Sequence, residues 1–510
     1  MNLTLQQQAF IDAVRANKSH LCLRARAGTG KTSTILAATG VVVRERPAVE
    51  VAICAFNKAV QLEITDKLVK QDLDWRSAAA VTTHSMGFGL LRNLNKDIKF
   101  DNGKVKDLIL AEDDPFFRRN FTTIAELVHL AKLEGFGAFE DRDVDDTEAW
   151  QDMADHFGVS DGPMDNAIKA AQHIYRKSLV RIDICDFDDM VLLPLVRALT
   201  ARYRKDYVFL DEAQDTSRAR RALVKKFLKP NGKLVIVGDD RQAIYGFAGA
   251  SPDALDELVQ EMSAEVLPLT MTWRCPRSVV ELAQEFVPDI EAADTAQEGT
   301  ISHTSALPEG LRPTDSILCR NTAPLVAQAY RLIREGVACK VEGRDIGAGL
   351  VKMVDRWKHI SKISPFLDQL NQWEHYERER AIAKGDSQRL ADVEDRCETM
   401  RVVCDAVAAR GGTTLDYVKK FITELFADNV KGMGMLTLAT MHRAKGREWQ
   451  RVILLDYDRL CPSPYARKEW QLRQEHNLMY VGITRSMSEL MFCDRPRQSE
   501  AGAIKEGAFG

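Results

Sequence analysis

In Leu21-Cys-Leu-Arg-Ala-Arg-Ala-Gly-Thr-Gly-Lys-Thr-Ser-Thr34 an apolar run feeds a glycine-containing turn, and Lys31-Thr32 then open a predicted helix. That is the layout of a phosphate-binding loop set between a buried strand and a helix. Residues Ala25, Arg26, Ala27, Gly28, Thr29, Gly30, Lys31, Thr32 and Ser33 would wrap the phosphates of a nucleotide. The glycines let main-chain N–H groups turn inward, Lys31 supplies a point charge, and Thr32 offers a hydroxyl to magnesium. The new helix adds the positive end of its dipole. Glycine ordinarily holds the first position of this pattern; here it is Ala25.

The second anchor lies downstream, in Asp206-Tyr-Val-Phe-Leu-Asp-Glu-Ala-Gln-Asp215. An apolar strand ends in paired carboxylates, as in a Walker B element. Asp211 would hold magnesium through water, and Glu212 would orient and deprotonate the attacking water. In Lys233-Leu-Val-Ile-Val-Gly-Asp-Asp-Arg-Gln-Ala-Ile-Tyr-Gly-Phe-Ala-Gly-Ala250 another buried strand has a polar end. There Gln242 could sense a γ-phosphate. Tyr245 and Phe247 either offer stacking faces to bases or belong to the core. Between the anchors, Val49–Phe56 reads as a strand running into a helix at Asn57, and Thr82-Thr-His-Ser85 marks a similar corner. Ligands sit at the carboxyl edge of a parallel sheet, so Phe56, Asn57, Thr83 and His84 are site candidates. Ahead of them, residues 3–16 predict an amphipathic helix capped by Thr4, with Leu5, Phe10, Ile11 and Val14 on its apolar face. Its glutamines either pair with an adenine or form a solvated polar face.

The 510 residues exceed what one core usually supports, and three or four domains are expected. A net charge of -4 disfavours a passive nucleic-acid coat, which would be basic, but not a motor with a few local contacts. The ten cysteines are scattered without a CxxC pair, which argues against zinc and fits a reducing compartment. With neither a signal-like N-terminus nor a membrane-length apolar run, the expectation is a soluble cytoplasmic or nucleoid-associated protein without membrane contact.

The combination of Gly28-Thr-Gly-Lys-Thr32, Asp211-Glu-Ala-Gln-Asp215, Val237-Gly-Asp-Asp-Arg-Gln-Ala-Ile-Tyr245 and Tyr480-Val-Gly-Ile-Thr-Arg485 resembles the UvrD/Rep/PcrA-like helicases of superfamily 1. In its short form the chain also resembles the F-box-helicase branch. The resemblance runs in order over nearly the whole chain. It implies an α/β fold of two RecA-like P-loop NTPase domains with parallel sheets, each carrying a mainly helical inserted subdomain. It further implies ATP with Mg2+ in the cleft between the domains and single-stranded DNA across their tops. Gln7 falls at the adenine-reading glutamine, with Gln8 as the fallback. Trp273 would stack on adenine, Arg274 would reach the γ-phosphate, and Arg485 matches the other arginine finger. In Thr437-Leu-Ala-Thr-Met-His-Arg-Ala-Lys-Gly-Arg-Glu-Trp449, Thr440 and His442 would lie on the DNA side and Glu448 near the nucleotide sugar. Asp186-Phe-Asp-Asp189 resembles a shorter family signature and receives no chemical role. The chain departs from the family at Ala55-Phe-Asn-Lys58, at Ala248, at Ser33 and at Gln474-Glu-His-Asn477, which lacks the paired arginines. These departures bear on DNA grip and coupling, not on the hydrolytic set.

The expected organisation is a first RecA-like domain in residues 1–90 and 179–267 around a helical insertion at 91–178. The second spans 268–350 and 432–496 around a reduced helical insertion at 351–431, and a disordered tail fills 497–510. Charges of both signs in Glu374–Lys384 and Arg389–Met400 predict a solvated helical face with i,i+4 pairs. The leading expectation is an ATP-dependent translocase and helicase that acts on single-stranded and tailed duplex DNA, with a 3′→5′ direction implied by the family. It would act as a monomer or weak dimer. The reduced second insertion motivates an alternative: a single-strand translocase or protein–DNA remodeller that needs a nuclease or a repair or replication partner.

Overall fold

A computed structural model describes residues 3–159, 164–246, 251, 253–357, 359–384, 387–426 and 435–494. Phe247 and the tail 497–510 lie outside them. The chain forms two compact units, Met1–Thr270 and Met271–Gly510.

The sheet of the first unit is built from β1 (Leu21–Ala25), β2 (Val51–Ala55), β3 (Ala78–Thr82), β4 (Lys205–Leu210), β5 (Leu228–Gly238) and β6 (Glu265–Leu269). Their order is β3-β2-β4-β5-β1-β6, and every pairing is parallel. Near-continuous apolar runs such as Val51–Ala55 and Leu234–Val237 suit such strands, which are covered on both faces. Because all six run one way, the corners after β1, β2, β3, β4 and β5 collect on one edge. That edge carries the phosphate loop, Phe56, Thr83, Asp211 and Asp239.

The first helix, Leu5–Ala16, starts at Thr4, whose hydroxyl accepts from Gln7 N while Gln7 Oε1 accepts from Thr4 N. Its buried stripe is Gln7, Phe10, Ile11 and Val14. Leu5 is not on that stripe, contrary to the sequence expectation: it is 91% exposed. The stripe follows i, i+3, i+4 and i+7 from Gln7, and Leu5, two residues earlier, points to the other side of the helix.

Helices between β3 and β4 form a separate core around Trp150, Phe136 and Tyr175. Three basic side chains fasten this layer to the Asp186–Asp189 corner. Lys132 Nζ lies 2.6 Å from Asp186 and 2.8 Å from Asp189, Lys104 Nζ lies 2.6 Å from Asp189, and His129 Nδ1 lies 2.6 Å from Asp188. Both lysine side chains are fully buried.

The second unit has β7 (Thr300–Thr304), β8 (Asp315–Cys319), β9 (Cys339–Val341), β10 (Leu436–Thr440), β11 (Trp449–Leu455) and β12 (Ser486–Cys493). They pair in the order β7-β12-β11-β8-β10-β9, again all parallel. Its inserted helices share one continuous core with the sheet: Ile317, Leu438 and Ile453 belong to the same cluster as Phe366, Met400 and Phe421. The inserted helix Ser387–Ala408 also supplies Asp395, whose carboxylate accepts from Thr322 N and Ala323 N at 2.9–3.1 Å and caps the helix Thr322–Arg334. The charged stretch keeps exposed positions such as His375, Arg378 and Glu379, and part of it is also used between the helices. Arg389 pairs with the buried Glu377 at 2.5 Å, Arg378 with Glu394 at 2.5 Å, and Arg401 with Glu374, all between the two long helices. These cross-hairpin pairs stand beside a pair within one helix, Arg380 with Glu377 at 3.3 Å.

Candidate functional site

The phosphate loop leaves β1 at the fully buried Ala25 and turns through Gly28 (φ 72°) and Gly30 (φ 82°), both in the left-handed region that glycine enters without steric cost. Thr29 Oγ1 donates to Arg26 O at 2.9 Å and braces the turn. Gly30 precedes the helix Lys31–Glu45, so Lys31, Thr32 and Ser33 occupy its first turn. A Cβ on Gly30 would stand 3.3 Å from Gln7 Nε2, which places the amide of Gln7 against the loop. Gln8 turns outward to Asp12, and Gln6 is held by Thr270.

Lys31 Nζ lies 3.1 Å from Glu212 Oε1. Burial pulls the lysine pKa down, but Glu212, Asp239 and Asp211 outweigh it and the net shift is upward, so the ammonium stays charged. Asp211 is buried at the end of β4 and accepts from Glu212 N at 3.1 Å; Glu212 itself takes a left-handed backbone (φ 50°). Arg26 does not face outward from the loop. Its guanidinium is buried, 3.2 Å from Asp239 and 2.9 Å from Asp240. Burial raises the pKa of Asp239 despite Lys31 and Arg26, whereas for Asp240 the two arginines Arg26 and Arg24 outweigh burial and lower it.

Gln242 Nε2 donates to Asp239 Oδ2 at 2.6 Å. Two positions beyond Ile244's predecessor Ala243, Tyr245 stacks on Phe56 with ring centroids 5.9 Å apart and planes 13° from parallel. Asn57 caps the helix Lys58–Val69 by accepting from Val60 N at 3.0 Å. Thr83 is buried at the start of the helix Thr83–Leu94, and His84 meets the edge of Phe187 at 5.6 Å. Burial, reinforced by Arg220 and opposed by Asp188, pushes the His84 pKa down to about 4.

In the second unit the candidates separate onto opposite edges of the sheet. Thr440 ends β10 and His442 follows it, at the carboxyl edge beside Arg320, which leaves β8. Burial, with Arg320 and Arg443, pushes the His442 pKa down to about 3. Arg320 forms a bidentate pair with Glu475 (Nε to Oε2 3.0 Å, Nη2 to Oε1 2.8 Å). Trp273, Arg274, Glu448 and Arg485 lie at the amino edge, where β11 and β12 begin. Arg274 Nε donates to Glu448 at 2.5 Å, and Trp273 is 53% exposed. Arg485 is only 1% exposed: Nε donates to Val481 O at 2.8 Å and Nη2 to Thr484 Oγ1 at 3.0 Å. Arg274 Nη1 donates to Thr484 O at 3.4 Å, so both arginines lean on one residue.

Sequence reasoning passed over Gln214, Asp239, Phe187 and Arg320. Gln214 and Asp239 stand inside the two quoted acidic stretches, and the signal was their polarity at buried strand ends. A nucleotide with magnesium fits the donor set of the first unit: a loop of left-handed glycines, a charged lysine, a threonine in the first helical turn and a buried aspartate. Among the described residues no group of three or more His, Cys, Asp or Glu side chains is placed to hold a metal alone. No helix among the described residues is long and apolar enough to cross a membrane.

The model of the UvrD/REP helicase N-terminal domain matches residues 5–263, and that of the UvrD-like helicase C-terminal domain matches residues 171–494. F-box DNA helicase protein 1 of Schizosaccharomyces pombe is 24% identical over 541 residues, covering 96% of this chain and 57% of that protein. ATP-dependent DNA helicase UvrD2 of Mycobacterium tuberculosis is 25% identical over 566 residues, 94% of this chain and 77% of its own length. ATP-dependent DNA helicase Rep of Escherichia coli is 32% identical over 134 residues, a quarter of this chain (25%) and 20% of that protein. The chain thus spans little more than half the length of the yeast relative.

Proposed function

The chain belongs to the UvrD-like family of ATP-dependent DNA helicases, and from that membership we propose a DNA-stimulated ATPase that moves along single-stranded DNA and couples hydrolysis to duplex unwinding, 3′→5′ as the resemblance implies. The observation that carries this reading is the single edge on which Lys31, Asp211, Glu212 and Gln242 meet, with Lys31 and Glu212 3.1 Å apart.

In this reading the phosphates draw Lys31 from Glu212, and the freed carboxylate takes a proton from the attacking water. Thr32 and Asp211 would hold magnesium, which supplies charge neutralisation on the phosphates. Gln7 and Trp273 recognise adenine, and Glu448 the sugar. Gln242, Arg274 and Arg485 answer to the transferred phosphoryl group. Arg485 must then leave the main-chain carbonyls that hold it, which makes its engagement a conformational step. Phe56, Asn57, Thr83, His84, Tyr245 and Phe247 would meet DNA on the first unit, and Thr440 and His442 on the second. ATP turnover by the purified chain with and without an oligothymidylate tests the proposal; a rate that DNA leaves unchanged contradicts it.

One observation favours the second reading, a single-strand translocase or protein–DNA remodeller that works with a partner. The second insertion is continuous with the core of its unit and is no separate arm. Strand displacement on a 3′-tailed duplex separates the two: DNA-stimulated turnover without displacement supports the remodeller.

A further inference from the structure

We propose that Gln214 is a positioning residue that ties the general base to the phosphate-sensing end of β5. This rests on the reading of Glu212 as base and Gln242 as sensor. Gln214 is 1% exposed and uses both ends of its amide. Nε2 donates to Glu212 Oε2, and Oε1 accepts from Asp239 N at 3.1 Å. Asp239 in turn accepts from Gln242 twice, Oδ2 from Nε2 at 2.6 Å and O from the Gln242 N–H at 2.9 Å. On the other side, Glu212 Oε1 holds Lys31 Nζ. An unbroken chain of hydrogen bonds therefore runs from Gln242 through Asp239 and Gln214 to Glu212 and Lys31, all within one unit.

The chain has a physical consequence. The Glu212 side chain has three torsions, and Gln214 holds the carboxylate oxygen that Lys31 does not. When Lys31 moves to the phosphates, the amide still holds Glu212 Oε2. A shift of Asp239 with Gln242 reaches that amide through the Asp239 N–H. Gly238 marks how closely the parts fit, because a Cβ there would collide with Gln214 Oε1. Tyr245 follows Gln242 by three residues and stacks on Phe56, so the same strand end carries the proposed DNA face. Gln214 is thus placed to convert DNA engagement at that corner into aim of the base. A double-mutant cycle measures the coupling between the two ends of this hydrogen-bonded chain.

The experiment uses the full chain and measures ATP turnover with and without oligothymidylate for wild type, Gln214→Leu, Gln242→Ala and the double variant. Gln214→Leu should lower DNA-stimulated kcat by roughly tenfold to a hundredfold, the scale of a misplaced catalytic group, while KM for ATP stays close to wild type. The double variant should be no slower than the slower single. Gln214→Glu keeps an acceptor for Asp239 N–H but sets a like charge against Glu212, so the acidic limb of its kcat–pH profile should move to higher pH. Losses that multiply in the double variant, or an unmoved acidic limb, overturn the relay. If Gln214→Leu does not fold, Gly238→Ala displaces the same amide, and the same cycle with Gln242→Ala decides. A wild-type chain without DNA-stimulated turnover instead sinks the functional reading itself, which keeps the two failures apart.

Discussion

Lys31 and Glu212 neutralise each other across 3.1 Å in a site that is largely screened from water. Removing either should stop turnover for different reasons. Lys31→Ala removes the charge that holds the phosphates and should abolish both turnover and tight ATP binding. Glu212→Gln keeps the shape and removes the base, so turnover should fall to background, a loss of up to about 10⁴-fold, while binding of a fluorescent ATP analogue persists. Loss of nucleotide binding in Glu212→Gln would contradict its assignment. The phosphate loop and the acidic strand end were legible as candidates because phosphate chemistry demands those residue types at fixed spacing. Gln214 and Asp239 were not, because a buried amide that bridges two strand ends is defined by β4 and β5 lying side by side, and no local spacing encodes that. The two histidines proposed to face DNA give a pH prediction. Their folded pKa values, about 4 for His84 and about 3 for His442, lie below the ordinary value near 6.5. Between those limits the unfolded chain binds more protons, so the stability they contribute is complete above about pH 6.5 and is lost as pH falls toward 4 and then 3. Urea unfolding should show a stability decline over that window that is shallower in His442→Gln. Both rings are neutral at pH 7, so DNA affinity should show no histidine step between pH 6 and 8; a step that His442→Gln removes would refute this.

At the scale of elements, Asp186-Phe-Asp-Asp189 has a role its sequence did not suggest. Asp186 and Asp189 cap the helix Phe187–Val196 reciprocally, and three carboxylates of the stretch take basic partners from the inserted helices. Burial pulls the Lys132 pKa down, but Asp189 and Asp186 outweigh it and keep it charged. Lys132→Met would leave two buried carboxylates with one lysine between them. Breaking such a cluster from one side costs about 3–5 kcal/mol, and urea unfolding of the first unit should show a loss of that order. A change below about 1 kcal/mol, the level of a surface pair, would mean that the cluster does not fasten the insertion. Gly87 marks a second joint, where a Cβ would collide with the carbonyl oxygen of Met190. Gly87→Ala should therefore push apart the helices that carry His84 and Phe187, and weaken single-strand binding more than ATP binding. Helix and strand identities were readable from apolar periodicity. Which charged residues were buried was not, since a lysine on a helix looks the same whether it meets water or an aspartate on another helix.

At the scale of the whole chain, the parallel sheet of the first unit was legible in its apolar runs and strand–helix corners, whereas the second parallel sheet was expected only from the family resemblance. Less legible was the way the second unit distributes its candidates, with Trp273, Arg274, Glu448 and Arg485 at the amino edge of the sheet and Thr440 and His442 at the carboxyl edge. Only strand order and direction reveal that division. It sets nucleotide candidates at the amino ends of β11 and β12 and the DNA candidates at the carboxyl end of β10. The second insertion shares one core with its sheet. The most direct test of the account is the steady-state ATPase rate of the purified chain, titrated with oligothymidylate, beside Glu212→Gln. The account predicts saturable stimulation by DNA in the wild type and no turnover above background in the variant at any DNA concentration. A wild-type rate indifferent to DNA, or a variant that retains DNA-stimulated turnover, would contradict it.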